Sequence, residues 1–228
     1  MSRQKAGQKD LTGKTPAAIT PGKPAYHHGD LRRHVMDEAI AMMRAEGMEA
    51  LSLRKLAERV GVSPAALYHH FSDKQALLCA IGEEGITLFS DLLREGMEGD
   101  MGLEARFQRF VTLYIRFALA NPEIYELLFG RITWKGEGEA SEAFRAKARA
   151  SFRGYAEVVT SLQGQGFFSP ELNPLRLSQI IWGTLHGLCR MYNDGLAFRP
   201  DDVEEIGQYA RWLLERLRQK GMEAAGKD

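Results

Sequence analysis

The amino-acid sequence predicts an all-α protein of about nine helices, a small three-helix N-terminal unit followed by a larger helical body. Three observations predict it. Apolar residues recur every three or four positions along most of the chain after residue 30, no stretch shows the period-2 alternation of a half-buried strand, and the breaks carry helix-boundary residues. With 228 residues, 44% of them apolar and 26% charged, the chain is long enough to bury a substantial core, which excludes a wholly disordered protein.

Residues 1–28 contain Pro16, Pro21 and Pro24, few large apolar side chains, and five bases (Arg3, Lys5, Lys9, Lys14, Lys23) against one acid, Asp10. They are expected to form a disordered basic arm. From Asp30, the spacing of Leu31, Val35, Ala39, Ile40 and Met43 puts one apolar stripe on a first helix that Gly47 ends. Ser52 is placed to cap a second, short helix carrying Leu53, Leu56 and Val60, and Gly61 supplies the positive-φ residue that closes it. Ser63 and Pro64 open a third of about two turns, to His70 or Phe71, by capping and by proline at the first helical position. Ser72-Asp73-Lys74 starts a fourth, to about Leu93. Further helices are expected at 103–120, 122–132, 139–164, 174–194 and 202–220, with Asn121-Pro122, Asn173-Pro174 and Arg199-Pro200-Asp201-Asp202 as the breaks.

Lysine and arginine number 30, as do aspartate and glutamate, so the net charge is zero and a uniformly basic nucleic-acid binder is excluded. Position changes the inference. Residues 1–80 carry +4 and the remainder −4; the arm supplies the whole excess, and residues 29–80 balance at seven of each sign. Two cysteines, Cys79 and Cys189, cannot build a disulfide framework or a four-cysteine metal site, so a reducing compartment is the default. The arm has no apolar leader core and no run of 18 apolar residues occurs, so the expectation is a cytoplasmic protein without a membrane partner.

Residues 52–71, SLRKLAERVGVSPAALYHHF, describe two short helices joined by a Gly-Val-Ser turn, which is a helix-turn-helix. Ala57 is small where the helices meet, and Leu56, Val60, Val62 and Leu67 are expected inside. Such a turn holds the second helix proud of the body, where its N-terminal residues can enter a major groove about 12 Å wide. That helix offers Ser63, Pro64, Ala65, Ala66, Tyr68, His69 and His70 but no arginine or lysine, so bidentate guanine readout from it is not expected. The alanines suit apolar contact with thymine methyls, and Tyr68, His69 and His70 suit phosphates. Positive charge must come from Arg54 and Lys55, beside Ser52 on the preceding helix, and from Lys74 on the following one.

SLRKLAERVGVSPAALYHHFSDKQALL, preceded by AEGMEA, resembles the DNA-binding domain of TetR/AcrR-type transcriptional regulators over about residues 29–80. NPEIYELLFG at 121–130 and WGTLHG at 182–187 resemble a subgroup whose ligand domain carries a Trp-x3-His-Gly signature. The resemblance implies a helix-turn-helix domain at 29–80 and a ligand-binding and dimerisation domain at 81–228. It also implies a homodimeric repressor on a pseudo-palindromic double-stranded operator, released by an unknown small-molecule effector, with no cofactor and no enzymatic activity. It further implies an apolar ligand pocket among the aromatic residues of the middle helices, with Phe110, Tyr114, Tyr125, Phe129, Trp182 and His186 as candidates. The second helix lacks the charged base-readers of some members, so the operator sequence does not follow from it.

Alternatives come from other features. His186 and Cys189, three apart on one helical face, suggest a metal or nucleophile pair and hence an enzyme, but no third ligand is spaced to join them and their apolar neighbours do not favour a thiolate. The basic arm suggests a ligand-independent architectural DNA binder. Gly183 and Gly187, four apart, suggest a helix seam in a dimer, with the apolar stripe of 202–220 as its partner.

Overall fold

The computed structural model describes residues 31–130 and 140–196, together with Glu205, Gln208, Tyr209 and Trp212. Among these residues there are eight α-helices, one 3-10 turn and no strand: α1 (Leu31–Glu46), the turn (Met48–Ala50), α2 (Leu53–Val60), α3 (Pro64–Tyr68), α4 (Lys74–Met97), α5 (Leu103–Ala120), α6 (Pro122–Phe129), α7 (Glu142–Gly164) and α8 (Pro174–Asn193). The expected helix at 202–220 lies outside the described residues except for the four named above, which are helical. No helix among the described residues is long and apolar enough to cross a membrane.

The head is built by local signals. The Ser52 hydroxyl accepts from the Lys55 N–H at 3.3 Å and the Ser63 hydroxyl from the Ala66 N–H at 3.2 Å, so each serine satisfies a donor that a helix start leaves unpaired. Gly61 adopts φ 77°, a conformation that costs a side-chain-bearing residue about 1–2 kcal/mol, and its N–H closes α2 on Ala57 O. Ala57, Leu56 and Leu67 are fully buried where α2 meets α3, on a floor of Val35, Ala39 and Ile40 from α1. Val60 and Val62 are only half-buried, at the edge of that core. The third helix ends at Tyr68, two to three residues sooner than expected, because the chain must turn there. His70 N–H and Phe71 N–H both fold back onto Leu67 O, which drops the Phe71 ring into the core.

Asp73 caps α4 by accepting from the Ala76 N–H at 2.7 Å. This helix runs on to Met97, four residues past its expected end and unbroken through the expected 80/81 domain boundary, and at 24 residues it spans about 36 Å. Its first turns pack Leu77, Leu78 and Ile81 under the head, while Ile86 and Phe89 enter the body, where α5, α6 and α7 pack against it and α8 packs on α5 and α7. A close approach at Gly85 sets how near α6 can come: a Cβ there would stand 2.6 Å from Ile124 Cγ2. The body helices start as expected at Asn121-Pro122 and Asn173-Pro174; Asn173 accepts from the Arg176 N–H at 3.1 Å. α7 starts at Glu142, three residues late, because Ser141 caps it through the Phe144 N–H. Two ion pairs tie head to body, Arg33 of α1 with Glu84 of α4 at 2.6 Å, and Arg44 of α1 with Glu123 of α6.

Candidate DNA interface and ligand cavity

Ser63, Pro64, Ala65, Tyr68, His69 and His70 are all exposed on α3 and the turn after it, Tyr68 to 56%, while Ala66 is half-buried. A large aromatic ring left this open has no packing reason to be there. Ser52 is half-buried under its capping bond, and Arg54 and Lys55 stand exposed beside it. The Arg54 guanidinium is 87% exposed and only loosely paired with Glu58, at 3.8 Å. Lys74 is placed differently from its expected role at a free helix start. Its ammonium donates to Met48 O at 2.9 Å, tying α4 to the 3-10 turn, so one of its three donors is already used inside the head.

The head's formal neutrality is resolved by pairing. Arg59 of α2 takes Glu38 and Glu46 of α1 at 2.6 and 2.9 Å, Arg33 takes Asp37 at 3.1 Å, Glu58 lies beside Arg54, and Asp73 is spent on its cap. Acids are thus largely compensated where they sit, and among the described residues no carboxylate pairs with Lys55 at the exposed edge. Arg32 was not singled out from the sequence. Its guanidinium lies 5.1 Å above the Phe71 ring, close behind α3, a position that depends on Phe71 folding under the head.

A cavity of about 920 Å³ opens between the later half of α4, α5, the end of α6, α7 and α8. Of the six residues expected to form it, Phe110, Tyr114, Phe129, Trp182 and His186 line it; Tyr125 does not. Tyr125 is 1% exposed and stands one layer behind, its hydroxyl 2.7 Å from His186 Nδ1 and 3.2 Å from the Tyr114 hydroxyl. The rings around it form one aromatic cluster: His186 stacks on Trp182 with centroids 5.1 Å apart and meets Phe129 edge-on at 5.3 Å. Burial pushes the phenols of Tyr114, Tyr125 and Tyr155 well above their ordinary range, so all three stay protonated. Burial, and then the charge of Arg190, pushes His186 down, which keeps its imidazole neutral.

The lining also includes groups the sequence did not single out. Ser90 of α4 and Ser151 of α7 share a hydrogen bond at 2.7 Å, and the Tyr155 hydroxyl donates to Ser178 O at 3.1 Å. Ser90 and Ser151 lie 61 positions apart, and no spacing rule connects them. Cys189 is buried beside Tyr125, and burial pushes its thiol up to about 12, which leaves it a poor nucleophile. Among the described residues no group of three or more histidines, cysteines or carboxylates is placed to hold a metal ion.

Comparison with known proteins matches residues 35–81 to the bacterial regulatory proteins of the tetR family and residues 107–217 to the tetracyclin repressor-like C-terminal domain. The nucleoid occlusion factor SlmA of Escherichia coli O1:K1 is 28% identical over 193 residues, covering 80% of this chain and 92% of SlmA. A protein of unknown function from Rhodococcus sp. RHA1 superimposes with a TM-score of 0.73 at 32% identity, covering 86% of this chain and all of that one. AibR, solved in complex with isovaleryl coenzyme A and operator DNA, shares the fold with a TM-score of 0.62 at 20% identity, covering 80% of this chain and 96% of its own. With a helix-turn-helix head matched by the first family model and a cavity-bearing helical body by the second, the chain belongs to the tetR family of DNA-binding transcriptional regulators.

Proposed function

We propose that the protein is a homodimeric repressor of the Trp-x3-His-Gly subgroup, acting in the cytoplasm on a pseudo-palindromic operator and released by a small molecule held in the body cavity. The observation that carries this is α4. One continuous helix ties its first residue to the head through Lys74 and Met48 O, and contributes Ile86, Phe89 and Leu93 to the cavity wall. A molecule that favours a different position of α4 shifts the two heads away from the spacing of about 34–36 Å that successive major grooves require. In this scheme Ser63, Pro64, Ala65 and Ala66 face base edges, and Ser52, Arg54, Lys55, Tyr68, His69, His70 and Lys74 hold phosphates. Phe110, Tyr114, Phe129, Trp182 and His186 meet the effector, with Tyr125 supporting His186. Ile180 and Met191 on the outer face of α8, where Cβ atoms added at Gly183 or Gly187 would meet nothing, support that face as the dimer seam.

The test is to select genomic fragments with the full-length protein, narrow them to a duplex, and measure fluorescence anisotropy with and without candidate effectors. Specific binding that a small molecule reverses supports the proposal; binding that no cavity ligand changes contradicts release. Similarity to SlmA favours one second reading, a DNA-binding architectural role that does not need a ligand. Deleting residues 1–28 separates the two. The repressor retains sequence preference with weaker binding, whereas an architectural binder held by its basic arm loses the complex.

A further inference from the structure

We propose that a ligand reaches the cavity along the seam between α4 and α7, that the hydrogen bond between Ser90 and Ser151 is the bar across this entrance, and that the middle of α7 is the part that yields. The proposal rests on the ligand-cavity reading above and adds the route by which the site is filled.

The exposure of the lining locates the mouth. Among the described residues, every exposed member of the lining belongs to α4 or α7, including Thr87, Asp91 and Arg94 on the first and Lys147, Gly154 and Glu157 on the second. The lining residues of α5, α6 and α8 are buried or half-buried and form the floor, with Phe110, Tyr114 and Leu128 buried. A Cβ added at Gly154 would meet nothing within 4 Å, so this side of the cavity faces open space.

The two sides of the seam are joined unevenly along its length. α4 and α7 run parallel, and their first turns are fastened together: Ser141, which caps α7, donates from its N–H to Cys79 Sγ at 3.4 Å and from its hydroxyl to the Glu83 carboxylate at 3.2 Å. Close by, Gly82 admits the Phe144 ring so nearly that a Cβ there would stand 2.5 Å from it. From Ile86 on α4 and Lys147 on α7 onward, the Ser90–Ser151 bond at 2.7 Å is, among the described residues, the one hydrogen bond or ion pair that crosses the seam.

α7 is the more loosely held of the two. Its buried residues are Phe144, Val159 and Leu162, and none of residues 145–158 between them is buried, whereas α4 buries Ile86 and Phe89 beside the cavity. A helix anchored at both ends with a half-buried middle opens locally at less cost than one packed into the core. A single bond between two half-buried hydroxyls is weak enough to break at each entry and directional enough to hold the helices at one spacing in between.

Stopped-flow uptake of N-phenyl-1-naphthylamine, an uncharged apolar fluorophore, by the full-length protein tests the route, read by energy transfer from Trp182 with Trp182→Phe as the blank. Side chains that meet at 2.7 Å can be bridged with little movement, and the native Cys79 and Cys189 are both buried, so Ser90→Cys/Ser151→Cys oxidised with diamide cross-links the seam. Cross-linking is expected to slow entry and exit alike by about tenfold or more, with Kd little changed and reversal on reduction. Ser90→Ala/Ser151→Ala is expected to speed both about three- to tenfold, the worth of the lost bond, again with Kd little changed because a bar alters the path and not its end states. A cross-linked protein, confirmed by mass, that fills at the wild-type rate overturns the route and leaves the cavity as a ligand site. Where the cross-link does not form, the alanine pair decides, and unchanged rates overturn the bar. Absence of energy transfer in the wild-type protein overturns the ligand-cavity reading and the route with it.

Discussion

The Arg44–Glu123 pair joins α1 of the head to α6 of the body, and its removal tests how firmly the two are held together. The Glu123 carboxylate is 6% exposed, and its Oε2 has no hydrogen-bond partner among the described residues, so Arg44 is its main compensation. Stripping one partner from a fully buried pair costs about 3–5 kcal/mol. Arg44 is 38% exposed, which means water already screens part of the interaction, so the expected cost of Arg44→Ala is about 2 kcal/mol. For a chain of this size that corresponds to a fall in Tm of about 4–8 °C. Glu123→Leu should cost less, about 1 kcal/mol or under, because the released guanidinium can turn into solvent whereas the released carboxylate cannot. The double variant should resemble Glu123→Leu alone, giving a coupling energy of about 2 kcal/mol, the whole cost of Arg44→Ala. Urea titrations of all four proteins at one fixed protomer concentration measure the cycle, the concentration being fixed because the proposed dimer would shift apparent stability. Additive single effects, or an Arg44→Ala protein as stable as wild type, would refute this account of the head–body junction.

Four further outcomes are expected. Gly85→Ala gains about 1 kcal/mol of helix propensity but forces a methyl to 2.6 Å from Ile124 Cγ2, on a β-branched side chain with little rotamer freedom, so thermal melting should show net destabilisation of about 1 kcal/mol. Adding Ile124→Leu, which moves the branch away from Cβ, should recover it; a more stable single variant would mean that α6 yields freely. His186 is held below its ordinary value of about 6.5, so the unfolded chain binds its proton more readily: its contribution to stability is present above that pH and is lost as pH falls through it. The fall in Tm between pH 7 and pH 5 should therefore be shallower in His186→Gln, and parallel curves would contradict burial as the cause. Arg54→Ala and Lys55→Ala should each reduce the salt slope of operator binding by about one without changing sequence preference. Lys74→Ala should also cost about 1 kcal/mol of stability, read by urea titration, because Met48 O loses its donor.

Much of the head was legible because its determinants are local. Ser52, Ser63 and Asp73 cap the helices that follow them within three residues, Pro64 needs only to sit at a first turn, and Gly61 takes positive φ where two helices must break. The same holds for Asn121-Pro122 and Asn173-Pro174 in the body. Helix ends were less legible: α4 continues past Leu93 because its apolar face stays covered by α5, a neighbour that local sequence does not reveal. Five of the six expected cavity residues line the cavity because aromatic residues at helical spacing on α5, α6 and α8 share a core-facing side.

Sequence alone determined the helical class, the helix-turn-helix and which residue types its outer face offers, since each depends on periodicity or on contacts within a few residues. It also located the charge excess in residues 1–28. Tertiary structure decided everything that depends on who meets whom across the chain. It turned Lys74 inward onto Met48 O, moved Tyr125 from the cavity wall to the layer behind His186, and set Arg44 against Glu123 across 79 positions. It paired the head's acids with Arg59 and Arg33, which lets a formally neutral domain present an uncompensated edge. The physical reason is that hydrogen bonds and ion pairs act over about 3–4 Å, and only the packing of helices brings residues dozens of positions apart within that range.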